Sequence, residues 1–477
     1  MNMKIYQSPL SERYASEEML YIFSPDMKFT TWRKLWVALA ETEMELGANR
    51  NGIPIITCEQ IQELKAHVED INYDVAKEKE KETNHDVISH IYAYGQQCPK
   101  ADGIIHLGAT SSYVVDNTDL IIMTDALKII KKKLVKLISI LADFADMYKS
   151  QPTLAFTHFQ SAQPTTVGKR VTLWLQEFCM DLEDLDYVLQ GMKLLGCKGT
   201  TGTQSSFLEL FDGDMETVEK IDIKIAEKMG FSGCYPVSGQ TYSRKVDTKV
   251  VNVLAGIAAS AHKMSNDIRL LQHLKEIKEP FGKEQIGSSA MAYKQNPMMS
   301  ERIASLARYV IVDTLNPAMT SATQWFERTL DDSANKRMAI PEGFLATDAI
   351  LGLCINISSG LQVNVDIMER HLRDELPFIV TEKIIIDAVK KGGNRQVLHK
   401  KIRDMIVEFD EKEESRGDKF IKKIASEPDF HLSLGELEEA LEPSRYTGRS
   451  KEQVDAFIKE VVDVVLEENK QLLDASI

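Results

Sequence analysis

An all-α fold built on a bundle of long helices is what this 477-residue sequence predicts, on three observations. Leu120, Met123, Leu127, Ile130, Leu134, Leu137, Leu141 and Phe144 recur at alternating steps of three and four, a heptad seam that a strand with its period of two cannot carry. The stretches 166–193 and 246–278 are free of proline and rich in Leu, Val, Ala and Met at helical spacing. With only 14 prolines and 25 glycines, the chain is too poor in turn formers for an all-β fold or low-complexity linkers.

In chain order, the helices before residue 110 read as short, with breaks at Asn51-Gly52-Ile53-Pro54 and Cys98-Pro99. If Asn117 caps the seam helix and Gln151-Pro152 ends it, that helix runs about 32 residues, roughly 48 Å. Such a rod needs long neighbours, and 166–193, 246–278 and a third run from Met298 to about Asn316 supply them, packed at shallow crossing angles. Bundles of this kind are often completed by other subunits, which predicts a homo-oligomer. After about residue 365 the helices shorten again, with Gly392-Gly393-Asn394 and Glu442-Pro443-Ser444 as breakers. The division expected is 1–111, 112–364 and 365–477, all helical. No internal repeat is visible, and the charged stretch 411–419 reads as a solvated helix face or loop.

The composition, 43% hydrophobic and 27% charged, is that of a soluble globular protein too long for one compact core. A net charge of −15 repels polyanions, which argues against nucleic acid and anionic membranes as partners but leaves room for a small anion held by local cations. The six cysteines lie at least 18 residues apart, without zinc or thioredoxin-like spacing, and predict reduced thiols in the cytoplasm. The start, MNMKIYQSPLSER, has no apolar signal core, and no uninterrupted run approaches the ~18 apolar residues of a membrane span; cytoplasmic residence is the expectation.

Three segments are too polar and glycine-rich to be core, and loops on a rigid scaffold commonly carry function. Residues 104–119, IIHLGATSSYVVDNTD, offer Thr110, Ser111 and Ser112 before a helix; equally, they are spare hydroxyls at a helix start. In 156–170, FTHFQSAQPTTVGKR, His158 lies between Phe156 and Phe159, where a packed structural histidine is the commoner outcome. Residues 285–302, QIGSSAMAYKQNPMMSER, place Ser288 on a flexible loop with Lys294 nearby, a serine that positive charge could hold as alkoxide; a surface hinge is the alternative. Gly191 and Gly196 have P-loop spacing but lack the Gly-Lys-Ser/Thr that must follow. His85 and His90, five apart, do not share a helix face as metal ligands would, so no metal is expected.

Together these loops resemble the signature regions of the fumarase and aspartase superfamily, and the third is close to its pattern GSSxMPxKxNP, with Ala292 in place of the first proline. Within it the chain resembles the adenylosuccinate lyase family of the animal-like type over nearly its whole length. The resemblance is carried by SPLSERYAS, NHDVISH, GIIHLGATSS, THFQSAQPTTVGKR, KGTTGTQSSF, SGQTYSRKVD, EPFGKEQIGSSAMAYKQNPMMSER, QWFERTLDDSANKRMAIPE, ELPFIVTEKI and YTGRS. It implies a central long-helix bundle flanked by two smaller helical domains, and a homotetramer whose active sites are shared between subunits. It implies release of fumarate from adenylosuccinate, giving AMP, and from succinylaminoimidazole carboxamide ribotide, giving the aminoimidazole carboxamide ribotide.

By the same resemblance Ser288 is the catalytic base and His158 the general acid. Arg13 and Tyr14 bind near the nucleotide phosphate, and His85 and Asp86 belong to the substrate pocket. Thr110, Ser111, Gln240, Lys294 and Asn296 surround the succinyl group, while Arg302, Arg328, Ser333 and Arg337 are further substrate contacts. Asn84 and Gln295 stand where close relatives carry basic residues and are not carried over. The chemistry suits these residue types. Removing a proton beside a carboxylate builds charge on it, so prearranged cations and donors are the largest available stabilisation. An imidazole can donate a proton near neutrality, and arginines grip carboxylates and phosphates in paired hydrogen bonds. No step calls for a cofactor.

Overall fold

The structure, a computed structural model, describes residues 4–408 and 416–473. Helices dominate, and among the described residues the strands form three two-stranded antiparallel ladders. Of the charged stretch 411–419, residues 411–415 lie outside the described residues. The chain divides into two compact units, one of residues 1–133, 181–259 and 305–352, the other of 134–180, 260–304 and 353–477.

The heptad seam is a helix, Ser111–Met147, and all eight of its apolar residues are buried. So are Ala126, Val135, Ile138 and Ala145 off the seam, so the helix is covered over more of its circumference than a two-stranded coil would cover. Its start corrects the expectation for Asn117. That residue lies inside the helix, fully buried, donating to the Tyr113 carbonyl (2.7 Å) and the Gly196 carbonyl (3.0 Å) and accepting from the Gly196 N–H (3.0 Å). The pairing with a distant backbone occupies the side chain that would otherwise cap. The helix also ends at Met147, before Gln151-Pro152.

The other long helices expected are Val167–Gly191, Lys245–His273 and Met298–Asp313. A further long helix, Asp332–Gly360, was not expected, and Pro341 inside it leaves the Arg337 carbonyl without its helical donor. This helix is also long and apolar enough, by length and composition, to cross a membrane, although the sequence holds no uninterrupted apolar run; 67% of the apolar window is buried inside the protein.

In the first unit Trp32, Leu35, Trp36, Tyr94 and Tyr113 form a core in which Trp36 Nε1 donates to His106 Nδ1 (2.9 Å) and the Tyr113 hydroxyl to the Leu35 carbonyl (2.7 Å), while the buried Trp32 Nε1 has no hydrogen-bond partner among the described residues. In the second unit Trp174 Nε1 donates to Asp267 (2.6 Å), and Leu376, Val380, Ile384, Phe420, Ile424 and Phe430 pack into a cluster among the shorter C-terminal helices.

Candidate active site

In the first unit, the helix Asp86–Gln97 begins where a left-handed residue, Asn84 (φ 50°), ends the helix Tyr73–Thr83. Asparagine tolerates that conformation better than most residues, which gives Asn84 a local structural reason. His85 is then the N-cap: its Nδ1 accepts from the Ile88 N–H (3.4 Å), leaving Nε2 turned to the Ser111 hydroxyl at 3.5 Å. With Nδ1 accepting, the neutral ring carries its proton on Nε2. Asp86 Oδ2 lies 3.6 Å from Arg337 and 4.0 Å from Lys28, a lysine whose pKa burial holds below its usual value. His85, Asp86, Ser111 and Arg337 are thus brought together, with Thr110 adjoining through its carbonyl, which accepts from the Tyr113 N–H (2.8 Å).

Gln240 donates to the Thr200 carbonyl (3.1 Å), and its own N–H is held by the Glu327 carbonyl (3.0 Å). A Cβ on Gly239 would stand 2.4 Å from that same Glu327 oxygen, so only glycine permits this approach. The approach docks the 239–244 strip against the segment that carries Arg328 and Ser333.

Beneath them lies a buried charge network that sequence reasoning missed. Arg244 contacts Asp332 (2.6 Å) and Asp116 (3.1 Å), Lys336 lies 2.5 Å from Asp119, and Arg328 reaches Asp332 at 3.5 Å. Burial pushes the Asp116 carboxyl up, but Lys336 and Arg244 outweigh it and hold the group below its ordinary range. Burial lifts Asp247 to about 6, with the Tyr242 hydroxyl donating to it at 2.6 Å. The available signal was the density of charge in SGQTYSRKVD and TLDDSANKR, segments otherwise adjoining apolar helices.

Arg13 and Tyr14 occupy a short turn, Leu10–Tyr14, of π-helical geometry, a form often found at functional positions. The turn is tethered just downstream: the Ser16 N–H donates to Asp348 (2.7 Å), which also takes a hydrogen bond from the buried Lys133.

In the second unit, the segment expected as a loop around His158 is a β-hairpin, Pro152–Thr157 with Gln160–Thr166. His158 and Phe159 are its two-residue turn, both left-handed (φ 54° and 57°). Such turns normally use Asn or Gly, so His-Phe carries no hairpin signal, and the two residues are held at positive φ by the strands that pair on either side. His158 is exposed at the tip, not packed as a structural histidine between Phe156 and Phe159.

Ser288 accepts at Oγ from the N–H groups of Met291 (3.1 Å) and Ala290 (3.3 Å). Two backbone donors converging on one hydroxyl oxygen would stabilise it as an alkoxide. Asn296 Nδ2 donates to the Gly287 carbonyl (2.7 Å), and a Cβ on Gly287 would fall 2.2 Å from the Lys294 carbonyl, so glycine, lysine and asparagine form the neck of one loop. Lys294 is exposed, and Arg302 follows in the second turn of the Met298–Asp313 helix.

Residues 16–312 match the family described as Lyase, and 377–457 the one described as Adenylosuccinate lyase C-terminus. The chain is 47% identical to an adenylosuccinate lyase of Saccharomyces cerevisiae, over 98% of this chain and 97% of that one. It is 46% identical to that of Schizosaccharomyces pombe, with the same coverage, and 43% to that of Schistosoma mansoni. In fold it is similar to the 3-carboxy-cis,cis-muconate lactonizing enzyme of Pseudomonas putida (TM-score 0.82, 21% identity, 95% of this chain and 99% of that one). It is similar also to a fumarate lyase of Mesorhizobium sp. BNC1 (TM-score 0.80, 21% identity, 96% and 99%). With signature loops, helical fold and full-length identity in agreement, the chain belongs to the adenylosuccinate lyase family.

Proposed function

We propose that the chain releases fumarate from adenylosuccinate, giving AMP, and from succinylaminoimidazole carboxamide ribotide, giving the aminoimidazole carboxamide ribotide. Ser288, as alkoxide, takes the proton from the carbon beside a carboxylate. The electron pair forms the fumarate double bond as the C–N bond breaks, and His158 protonates the departing nitrogen. Lys294, Asn296, Gln240, Thr110 and Ser111 surround the succinyl carboxylates, and His85 and Asp86 belong to the same pocket. Arg13 and Tyr14 take the phosphate, and Arg302, Arg328, Ser333 and Arg337 complete the grip. The observation that carries the reading is Ser288, the hydroxyl on which two N–H donors converge at the tip of the loop.

The enzyme works as a cytoplasmic homotetramer with shared active sites. Leu173, Met180 and Tyr187, at seven-residue steps on the Val167–Gly191 helix, are each about half exposed or more in the single chain and support that assembly.

The test is the ultraviolet signal of the succinylamino-purine when the purified protein meets adenylosuccinate, with argininosuccinate and malate alongside. Turnover of the purine substrate alone is expected, with Ser288→Ala slower by roughly a thousandfold and binding kept. Near-normal turnover of Ser288→Ala would sink the assignment.

A further inference from the structure

Eighteen residues, 280–297, leave the Ile277–Lys278 strand and return at the Met298–Asp313 helix, and one side chain fastens the two ends. Glu279 is 2% exposed. Its Oε1 accepts from the Met299 N–H (3.0 Å), and its Oε2 from the Ser300 N–H (3.0 Å) and the Ser300 hydroxyl (2.8 Å). Those N–H groups are orphans of a helix start, where a carboxylate is also favoured by the helix dipole. The cap comes not from the residue preceding the helix but from the far side of the loop.

Gln272, in the last turn of the Lys245–His273 helix, adds a second fastening. Its Oε1 accepts from the Glu279 N–H (3.1 Å) and its Nε2 donates to the Gln295 carbonyl (3.1 Å). Upstream, Ile277 and Lys278 pair with Val363 and Gln362, and Glu276 meets His371 Nδ1 at 2.8 Å, so the anchor itself is fixed. Residues 289–295 are all exposed. The base of the loop is locked while its tip is in solvent.

We infer that Glu279, with Gln272 beside it, is a positioning residue for Ser288: it holds the ends of the loop together so that the loop moves on a fixed base and delivers the serine to one place. The inference rests on the reading of Ser288 as the base. Closing a chain segment costs entropy that grows with its length, and the clamp meets that cost before substrate arrives, leaving only the tip to be ordered. Misplacing a reacting group by ~1 Å costs on the order of a hundredfold in rate, so a loosened base acts on kcat more than on contacts held elsewhere.

Glu279→Gln, which keeps the shape but faces donors with an amide, and Gln272→Ala, which leaves the carboxylate cap in place, are compared with the wild type and Ser288→Ala. All are full-length and assayed on adenylosuccinate. Glu279→Gln is expected to lose about tenfold to a hundredfold in kcat, with KM within about threefold, and Gln272→Ala less. Trypsin is expected to cut after Lys283 and Lys294 several times faster in both, with its rate elsewhere unchanged. Unchanged loop cleavage overturns the inference whatever happens to kcat, since activity lost without a loosened loop is general destabilisation. Faster cleavage with wild-type kcat, where Ser288→Ala is inactive, overturns it as well. Faster cleavage with a lowered kcat supports the clamp, and near-normal turnover of Ser288→Ala would then remove the serine's role, not the clamp. If Glu279→Gln does not fold, Gln272→Ala decides alone.

Discussion

His90 is stacked on Phe29, ring centres 3.7 Å apart, and burial, aided by the charges of Lys28 and Arg33, lowers its pKa to about 4. A histidine kept neutral in the fold takes up its proton more readily unfolded, so between about pH 6.5 and 4 the unfolded state binds more protons and stability falls with the pH. Asp247, raised to about 6 by burial, works in the opposite direction below that pH. The contribution of His90 is therefore read as a difference. Between pH 6.5 and 5 the wild type should lose about 2 kcal/mol more than His90→Gln in urea titrations. Asn117 makes a second prediction at this scale. Its removal strands a buried N–H and carbonyl at Gly196, so Asn117→Ala should cost roughly 2–4 kcal/mol by the same titration.

At the scale of elements, the Ser288 loop is a fastened base, a neck and a free tip, and the neck depends on the absence of a side chain at Gly287. Gly287→Ala should force the Lys294 carbonyl away and lower kcat by about tenfold or more, with the melting temperature little changed because the surrounding loop is exposed. Steady-state kinetics beside a thermal melt checks both halves. The loop's motif was legible because Gly287, Ser288, Lys294 and Asn296 fall within ten consecutive residues. The hairpin under His158 was not, since its turn uses His and Phe where Asn-Gly would have announced it, and the conformation is imposed by the paired strands.

At the scale of the whole molecule, one feature ties distant parts of the chain together and another bears on assembly. The first is the buried pairing of Arg244 with Asp116 and Asp332, residues 128 and 88 positions away. Arg244→Met takes the cation shared by two buried carboxylates away and should cost about 3–5 kcal/mol, seen as a lower melting temperature. The second is the exposed heptad stripe Leu173, Met180 and Tyr187. On the proposed homotetramer, Met180→Asp should shift the sedimenting species towards smaller forms, and an unaltered sedimentation profile would remove this stripe from the proposed interface.

Periodicity alone determined the seam helix, because a heptad of Leu, Ile, Met and Phe from 120 to 144 has one satisfactory conformation, and every residue of the seam is buried; it did not announce the long helix Asp332–Gly360. The signature loops were equally legible, because the residues of each are close in sequence. What only the tertiary structure decided are the partners of polar groups. Asn117, which reads as a helix cap, is a buried link to Gly196; Glu279, to which the sequence assigns no role, is the cap of a helix across a loop. A helix or a turn is fixed by interactions within a few residues. The partner of a buried amide or carboxylate is whichever backbone the fold brings within 3 Å of it, and no local pattern records that.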